Sequence, residues 1–193
     1  MGRFRELFFG EFNNLSRALL KPGRVKKLRL SFPDNLNDHG AEFLKFTKIR
    51  SLNIQTNIYH APYLPKQIGQ LKTLTKLSIL NVPFEEFPEW IPGLTNLEYL
   101  MVRGCEITEI PPGIKNLQKI KVLRIENCEV TALPVQLAAI PNLKYLSLTD
   151  TRIKKLDVSS LPPNLETLGI IMTLINTDEK FRIKEHKPTL KFD

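Results

Sequence analysis

The sequence predicts an α/β solenoid, a single domain in which short parallel strands stack side by side and each strand is followed by a returning segment. Three observations support this prediction. Aliphatic residues that open the pattern LxxLxL recur along the 193-residue chain, the following segments repeat the same apolar columns, and Pro outnumbers Gly by 14 to 9. Self-similarity at a fixed period is the signature of repeat architectures. The excess of Pro indicates turns that are set by a fixed backbone angle.

The repeat period is nearly constant. The opening residues are Val25, Ile49, Leu74, Leu97, Ile120, Leu143 and Leu165. Their spacings of 24, 25, 23, 23, 23 and 22 residues include three identical values in succession, which chance rarely produces. The spacing of 25 arises because the Leu64-Pro65 ending of the second repeat is displaced by two residues.

Each repeat is predicted to begin with a strand. Aliphatic side chains stand three and five positions after the opening residue and alternate with polar ones, which is the period of a strand with two inward side chains. One such strand cannot bury its apolar face alone. Parallel strands stacked about 4.8 Å apart would instead share one continuous core.

The second half of each repeat is expected to return the chain along the convex side. The middle repeats share Pro88, Pro111 and Pro134, each followed by aliphatic residues three and six positions later. Pro ends a strand and favours extended or 3₁₀ segments, which are narrower than α-helices, so we expect a shallow arc. Trp90 lies on this segment, and we expect it to pack there; an exposed contact is the alternative.

The repeats follow the pattern LxxLxLxx(C/T/N)xLxxLPxxIxxLxxL over residues 25–175. This pattern resembles the leucine-rich repeat family, in particular its 23-residue bacterial and plant-intracellular subclass. The resemblance implies a right-handed solenoid of about seven repeats with its parallel sheet on the concave face. Two repeats depart from the pattern, because the first has no Leu-Pro step and the sixth has Leu156-Asp157 instead.

Both ends of the solenoid are expected to be capped, because a stack of repeats otherwise exposes its core. Within residues 1–24, apolar residues recur every three or four positions and predict one amphipathic helix that ends at Pro22-Gly23. This stripe consists of Phe4, Leu7, Phe8, Phe12, Leu15 and Leu19. A membrane-surface helix is the alternative, but the polar face mixes both charges.

Residues 176–193 predict a C-terminal cap. Thr177 is the expected N-cap of a short helix that includes Phe181 and Ile183, and Pro188 is expected to stop it. A last edge strand follows at residues 189–192. This ending resembles the C-terminal caps of bacterial leucine-rich repeat proteins, and we expect no further domain after it.

Cys105 and Cys128 share the ninth column of the repeat with Asn57, Thr151 and Thr173. The resemblance implies that this column points inward and hydrogen-bonds the turning backbone. A redox or metal pair is the alternative. It is disfavoured because parallel side chains on adjacent strands are poorly aimed at each other and no His lies nearby.

A catalytic interpretation finds little support in the sequence. The three His residues, His39, His60 and His186, have no spacing suited to a metal site or a catalytic triad. The glycine-rich phosphate-binding patterns and the GxSxG nucleophile pattern are missing from the sequence. We therefore expect a protein that is not an enzyme and that has no catalytic residues, no metal and no cofactor.

The concave face is the expected binding surface. Tyr99, Val122 and Tyr145 share one column of successive strands, Met101 lies on the same side as Tyr99, and Arg103 and Arg124 flank this group. Tyr, Met and Arg are enriched at interfaces. The alternative is that aromatic residues are there only because they suit strands. The first three repeats add five bases and no acid on this face: Lys26, Lys27, Arg29, Arg50 and Lys76.

The composition and charge leave three functional hypotheses open. The first is a protein-interaction module that uses the central apolar group as its anchor and the bases for steering. The second uses the net charge of +8 to bind a polyanion, either nucleic acid or an acidic glycan or lipid, through the basic half of the face. The third is a structural unit of a homo-oligomer. Glu6 and Glu11 interrupt any signal-peptide core, so we expect a cytoplasmic monomer without a membrane span.

Overall fold

A computed structural model describes residues 2–31, 36–56 and 64–193 of the chain. Among these residues, nine parallel strands form one sheet, and their order in the sheet is their order in the chain. The strands are β1 (Glu11–Phe12), β2 (Lys27–Ser31), β3 (Ser51–Gln55), β4 (Lys76–Leu80), β5 (Tyr99–Cys105), β6 (Val122–Cys128), β7 (Tyr145–Ser147), β8 (Thr167–Gly169) and β9 (Lys191–Phe192). The predicted α/β solenoid is therefore confirmed.

The core runs along the inner side of this sheet. Strand register places the second apolar column of every repeat opposite its neighbour, from Leu28 through Leu100 to Leu168. These side chains are buried, as are the opening residues from Val25 to Leu165. Each repeat thus buries its apolar face only against the repeats on either side, which makes the core one continuous column.

Short 3₁₀ helices form the return side, as the Pro pattern predicts. They span Pro22–Arg24, Asn37–His39, Lys66–Gln70, Ile91–Gly93, Pro112–Asn116, Val135–Ala139 and Val158–Ser160. Pro65, Pro111 and Pro134 each hold the position before a 3₁₀ helix with φ near −70°. Trp90 is half-buried against the core, in agreement with the packing interpretation.

The two repeats that lack a Leu-Pro step use other means to close their return segments. In the first, the helix α3 (Gly40–Phe43) precedes Phe46, and the rings of Phe43 and Phe46 meet edge to face at 5.9 Å within the core. In the sixth, the buried Glu179 accepts a hydrogen bond of 2.8 Å from the backbone N–H of Leu156. Arg182 donates to the carbonyl of the same residue.

The strand ends share a backbone feature that the sequence analysis missed. Seven positions after the opening residue, five consecutive repeats adopt a left-handed conformation, with φ between 48° and 71°. The residues are Asn81, Gly104, Asn127, Asp150 and Met172. Asn, Asp and Gly tolerate this conformation, whereas Met does so rarely. A Cβ atom at Gly104 would in addition lie 2.5 Å from Oδ1 of Asn81.

The N-terminal segment corrects one prediction. Instead of a single amphipathic helix, it forms α1 (Gly2–Phe9), β1 and α2 (Leu15–Leu19). Gly10 breaks the helix at φ 66°, where a Cβ atom would lie 2.1 Å from the carbonyl oxygen of Arg24. Phe12 is buried as expected, but Leu7 and Phe8 are exposed rather than packed on the core. The side chain of Phe4 lies outside the described residues.

The C-terminal segment contains α4 (Thr177–His186) followed by β9, which pairs with β8. The N-cap of α4 is Asn176 rather than the expected Thr177, because the side chain of Asn176 accepts a hydrogen bond from the backbone of Glu179 at 2.9 Å. Ile183 points into the core, whereas Phe181 is exposed. No helix among the described residues is both long and apolar enough to span a bilayer.

Candidate partner-binding surface

The central columns of the solvent-facing side of the sheet come together as the sequence analysis expects. Tyr99 lies directly opposite Val122, which in turn lies opposite Tyr145. In the next column toward the strand ends, Met101 lies opposite Arg124. All five side chains are half-buried. We call this set, Tyr99, Met101, Val122, Arg124 and Tyr145, the central cluster.

Arg124 is held in place by its neighbours within the central cluster. Its Nε donates to Oε1 of Glu126 at 2.7 Å, and its guanidinium lies 5.6 Å from the ring centre of Tyr145. Burial is the largest single effect and lowers the pKa of Arg124, but the hydrogen bond to Glu126 and the attraction of Glu126 and the two tyrosines together outweigh it and raise that pKa. The guanidinium is a fixed cation with a planar fork of further N–H groups.

Glu126 lies six residues after the opening residue Ile120, at a position outside the apolar columns of the repeat, yet it is not a solvated acid. The residue is only 4% exposed, because Arg124 covers it on its own strand and Ser147 covers it from the next. The hydroxyl of Ser147 donates to Oε1 of Glu126 at 2.6 Å. The spacing of two residues between Arg124 and Glu126, which places both on one face of a strand, was the signal in the sequence.

The two tyrosines of the central cluster are also fixed by polar contacts. Nζ of Lys76 lies 4.4 Å from the ring centre of Tyr99. The hydroxyl of Tyr145 donates to Oδ2 of Asp193 at 2.7 Å, a contact that the sequence analysis missed. Burial raises the pKa of both phenols, and the bond to Asp193 raises that of Tyr145 further. Both tyrosines are therefore neutral at physiological pH.

The N-terminal half of the face carries the unpaired bases. Lys26, Arg29, Arg50 and Lys76 are exposed, and none forms a salt bridge with a described carboxylate. Between them lie the polar side chains of Ser51, Asn53 and Ser78. A depression of about 230 Å³ opens here beside β1.

Lys27 departs from the other predicted bases. Strand β1 brings Glu11 directly opposite Lys27, and their side chains form a salt bridge of 2.6 Å. Arg5 contacts the same carboxylate at 3.3 Å. The hydrogen bond from Lys27 lowers the pKa of Glu11, so the carboxylate is ionised at neutral pH. The patch of five bases expected from the repeats alone therefore loses one free charge.

In the C-terminal half, most bases on this face are paired. Lys121 bonds Glu98 at 2.7 Å, and Lys144 bonds Glu166 at 2.6 Å. Both pairs bridge adjacent repeats and are exposed to solvent. Arg103, a predicted site residue, is exposed and lies opposite Glu126 in the strand register. The local charge of this half is close to balanced.

Comparison with known proteins agrees with the repeat pattern. The Leucine Rich Repeat family model matches residues 96–117, which include strand β5. The chain therefore contains a sequence that matches this repeat and has the leucine-rich repeat fold. Its fold is similar to the solved structure of a leucine-rich repeat protein from Leptospira interrogans, with a TM-score of 0.57 at 21% sequence identity. The match covers 92% of this chain and 56% of that one, so the chain spans little more than half of its neighbour's length.

A search of curated proteins gives no significant match. Solved structures match widely, with 310 chains in all. So common a fold does not by itself narrow the function. Leucine-rich repeat folds generally serve as scaffolds for protein interaction, and what each of them binds depends on the side chains of its own surface.

The ninth column of the leucine-rich repeats is a structural ladder in this protein. Thr151 and Thr173 each donate from the hydroxyl to the carbonyl three residues back, at 2.7 and 2.8 Å. Cys105 and Cys128 lie opposite each other in register, and both are buried free thiols. The thiol of Cys128 donates to the carbonyl of Glu126. The buried Val82 holds the same position in the third repeat, and Asn57 lies outside the described residues.

The contact between the two thiols shifts their pKa values in opposite directions. A hydrogen bond with Cys128 and burial both raise the pKa of Cys105, whereas the hydrogen bond with Cys105 lowers the pKa of Cys128. Thiolate is the reactive and ligating form, so Cys105 is the less reactive of the two. No group of three or more potential metal ligands occurs among the described residues. Of the three His residues, His39 and His186 are exposed, and His60 lies outside the described residues.

Proposed function

We propose that this leucine-rich repeat protein is a non-catalytic interaction module that binds a partner protein through the concave face of its sheet. The observation that carries the proposal is the central cluster, in which two tyrosines, a valine and a methionine stand half-buried in adjacent columns. Aromatic and Met side chains that are already held by neighbours lose little rotamer freedom on binding, which is typical of interface anchors. The module acts as a cytoplasmic monomer without metal or cofactor.

Arg124 defines the chemistry that the partner presents. Its Nε is occupied by Glu126, its guanidinium lies 5.6 Å from the ring centre of Tyr145, and it also interacts with the phenol of Tyr99. A preorganised guanidinium favours a carboxylate, with which it forms two parallel hydrogen bonds. The partner segment therefore carries an acidic side chain next to apolar ones.

The unpaired bases of the N-terminal half and Arg103 steer the approach of that acidic partner. Lys26, Arg29, Arg50 and Lys76 create a positive field next to the central cluster without being locked in ion pairs. Such charges raise the association rate more than the final affinity, and salt screens their effect.

A polyanion is the second candidate ligand, and the same four exposed bases support it. Two observations make it weaker. Glu11 neutralises Lys27 at the edge of the patch, and the aromatic residues on which bases of a nucleic acid could stack lie outside this half. Retention on heparin over a salt series tests it, and specific binding would persist at physiological salt.

Affinity capture from the source cell tests the proposed function. The full chain is compared with the double variant Tyr99→Ala/Tyr145→Ala and with Val135→Ala, which removes exposed apolar surface from the return side. We expect at least one protein to be captured by the wild type and by Val135→Ala but lost with the double variant. Identical capture by all three chains would contradict binding through the concave face.

Light scattering of the purified chain distinguishes an interaction module from a structural unit of a homo-oligomer. A monomer agrees with the proposal. A stable homo-oligomer that dissociates in the double Tyr variant would show instead that the central cluster contacts a second copy.

A further inference from the structure

The N-terminal segment, residues 1–26, is basic. It contains six Lys or Arg against two Glu, so it holds +4 of the total of +8. Both glutamates are already paired, Glu6 with Arg17 at 2.6 Å and Glu11 with Lys27 at the same distance. Lys21, Arg24 and Lys26 are exposed and have no salt bridge with a described carboxylate.

The same segment exposes large apolar side chains. Leu7 is 52% exposed and Leu20 is 80% exposed, and Phe8 and Phe9 are more than half exposed. The break at Gly10 is the cause, because it turns Phe12 into the core and leaves the apolar side of α1 facing solvent. Four large apolar side chains exposed within one short segment favour a contact site, since large exposed apolar patches on soluble proteins mark such sites.

The exposed apolar groups and the unpaired bases adjoin each other. Leu7, Leu20 and Lys21 line one surface depression of about 350 Å³, together with Phe12 and the ion pair of Glu6 and Arg17. Leu20 is followed by Lys21, the residue before the 3₁₀ turn Pro22–Arg24. This end of the solenoid therefore presents apolar side chains bordered by positive charge, with its acids already neutralised.

We propose that the N-terminal segment docks on an anionic membrane surface. Leu7 and Leu20, with Phe8 and Phe9 beside them, enter the boundary between headgroups and acyl chains, and Lys21, Arg24 and Lys26 contact lipid phosphates. Interfacial binding needs both an apolar face and cationic flanks, and this segment combines them. A nucleic acid would use the charge but leave the two leucines in water.

Co-sedimentation of the full chain with vesicles tests the proposal. Vesicles of phosphatidylcholine with phosphatidylserine are compared with vesicles of phosphatidylcholine alone. We expect binding to the anionic vesicles only, and we expect added NaCl to weaken it. Leu7→Gln/Leu20→Gln should lower the partition coefficient by about tenfold or more, because it removes the inserted apolar surface. Lys21→Gln/Arg24→Gln should lower it by about tenfold through lost attraction.

The matched control is Val135→Gln/Phe181→Gln, which removes exposed apolar side chains far from the N-terminal segment in sequence and should leave partition unchanged. Thermal unfolding of each variant verifies that the solenoid is intact. Failure of the wild type to bind anionic vesicles would overturn the proposal. So would equal binding by Leu7→Gln/Leu20→Gln, or a wild-type dimer that this variant dissociates, since Leu7 and Leu20 would then contact a second copy.

Discussion

The two halves of the concave face differ in how their charges are held. In the N-terminal half, Lys26, Arg29 and Arg50 form no salt bridge with any carboxylate that the structure describes. In the C-terminal half, Lys121 and Lys144 are paired with acids of the neighbouring repeats, and Arg124 is held by the buried Glu126. The difference teaches that net charge alone does not locate a binding site. Free charges act at long range, whereas held charges form part of a defined surface.

The largest expected effect is a loss of partner affinity when the central cluster, which lies in the C-terminal half of the concave face, is changed. Tyr99→Ala/Tyr145→Ala removes the two aromatic side chains of the central cluster, and we expect a loss of about 3 kcal/mol of binding free energy, roughly a hundredfold in Kd. Isothermal titration calorimetry with the captured partner measures it. Val135→Ala should leave the Kd unchanged, and an unaltered Kd for the double variant would show that the anchor lies elsewhere.

The second largest effect is on stability, and it compares the buried ion pair of Arg124 and Glu126 with the exposed pair of Lys121 and Glu98. Glu126→Gln keeps the shape of the side chain but leaves Arg124 without its counter-charge, so the free energy of unfolding should fall by about 1–2 kcal/mol. Glu98→Gln breaks the exposed pair with Lys121 and should cost less than about 0.5 kcal/mol. Urea denaturation measures both. Equal losses would mean that burial does not distinguish the two carboxylates.

The free charges should act on the rate of association. We expect Lys26→Gln/Arg29→Gln/Arg50→Gln to slow association with the captured partner by about three- to tenfold at low salt and to leave dissociation nearly unchanged. Surface plasmon resonance over a salt series measures this, and the dependence of the association rate on salt should flatten. If the triple variant instead raises the dissociation rate as strongly as the tyrosine variant does, the bases are direct anchors.

The smallest expected effect concerns Glu11. Glu11→Gln frees Lys27 and Arg5, so the variant should elute from heparin at slightly higher salt than Glu109→Gln, which changes the net charge equally at an exposed position distant in sequence. Pairing with Lys27 lowers the pKa of Glu11, so this pair is present above the usual carboxyl range and is lost only as pH falls through the lowered value. The difference in elution between the two variants should therefore disappear as the pH falls through this range. A difference that does not change with pH would rule out the pair of Glu11 and Lys27 as its cause.

The sequence predicts the core well because the core follows one period. Residues such as Leu100 and Leu123 recur at fixed offsets, and their burial depends only on each repeat stacking on the next. The column Tyr99, Val122 and Tyr145 follows from the same register. The sequence therefore predicts which side chains each repeat presents on the surface. It does not predict which surface charges pair with each other.

The structure departs from the prediction where a residue depends on a particular neighbour and not on the repeat period. The apolar stripe of residues 1–24 fits one helix, yet the close approach of Gly10 to Arg24 breaks it. Glu126 has the position of a solvated acid, but Ser147 is small enough to let it be buried under Arg124. Met172 adopts the left-handed backbone conformation that Asn, Gly or Asp adopt at the same position of other repeats. Its neighbours in the sequence do not predict this conformation.

Hydroxyl-radical footprinting of the full chain, with and without its captured partner, tests the central claim most directly, because Tyr and Met side chains oxidise readily. Met172, which is 71% exposed beyond strand β8, and the exposed Phe181 on α4 provide internal references. The account predicts that the partner lowers oxidation of Tyr99, Met101 and Tyr145 and leaves Phe181 unchanged. Unchanged oxidation of the central cluster, with protection of the return segments instead, would contradict binding through the concave face.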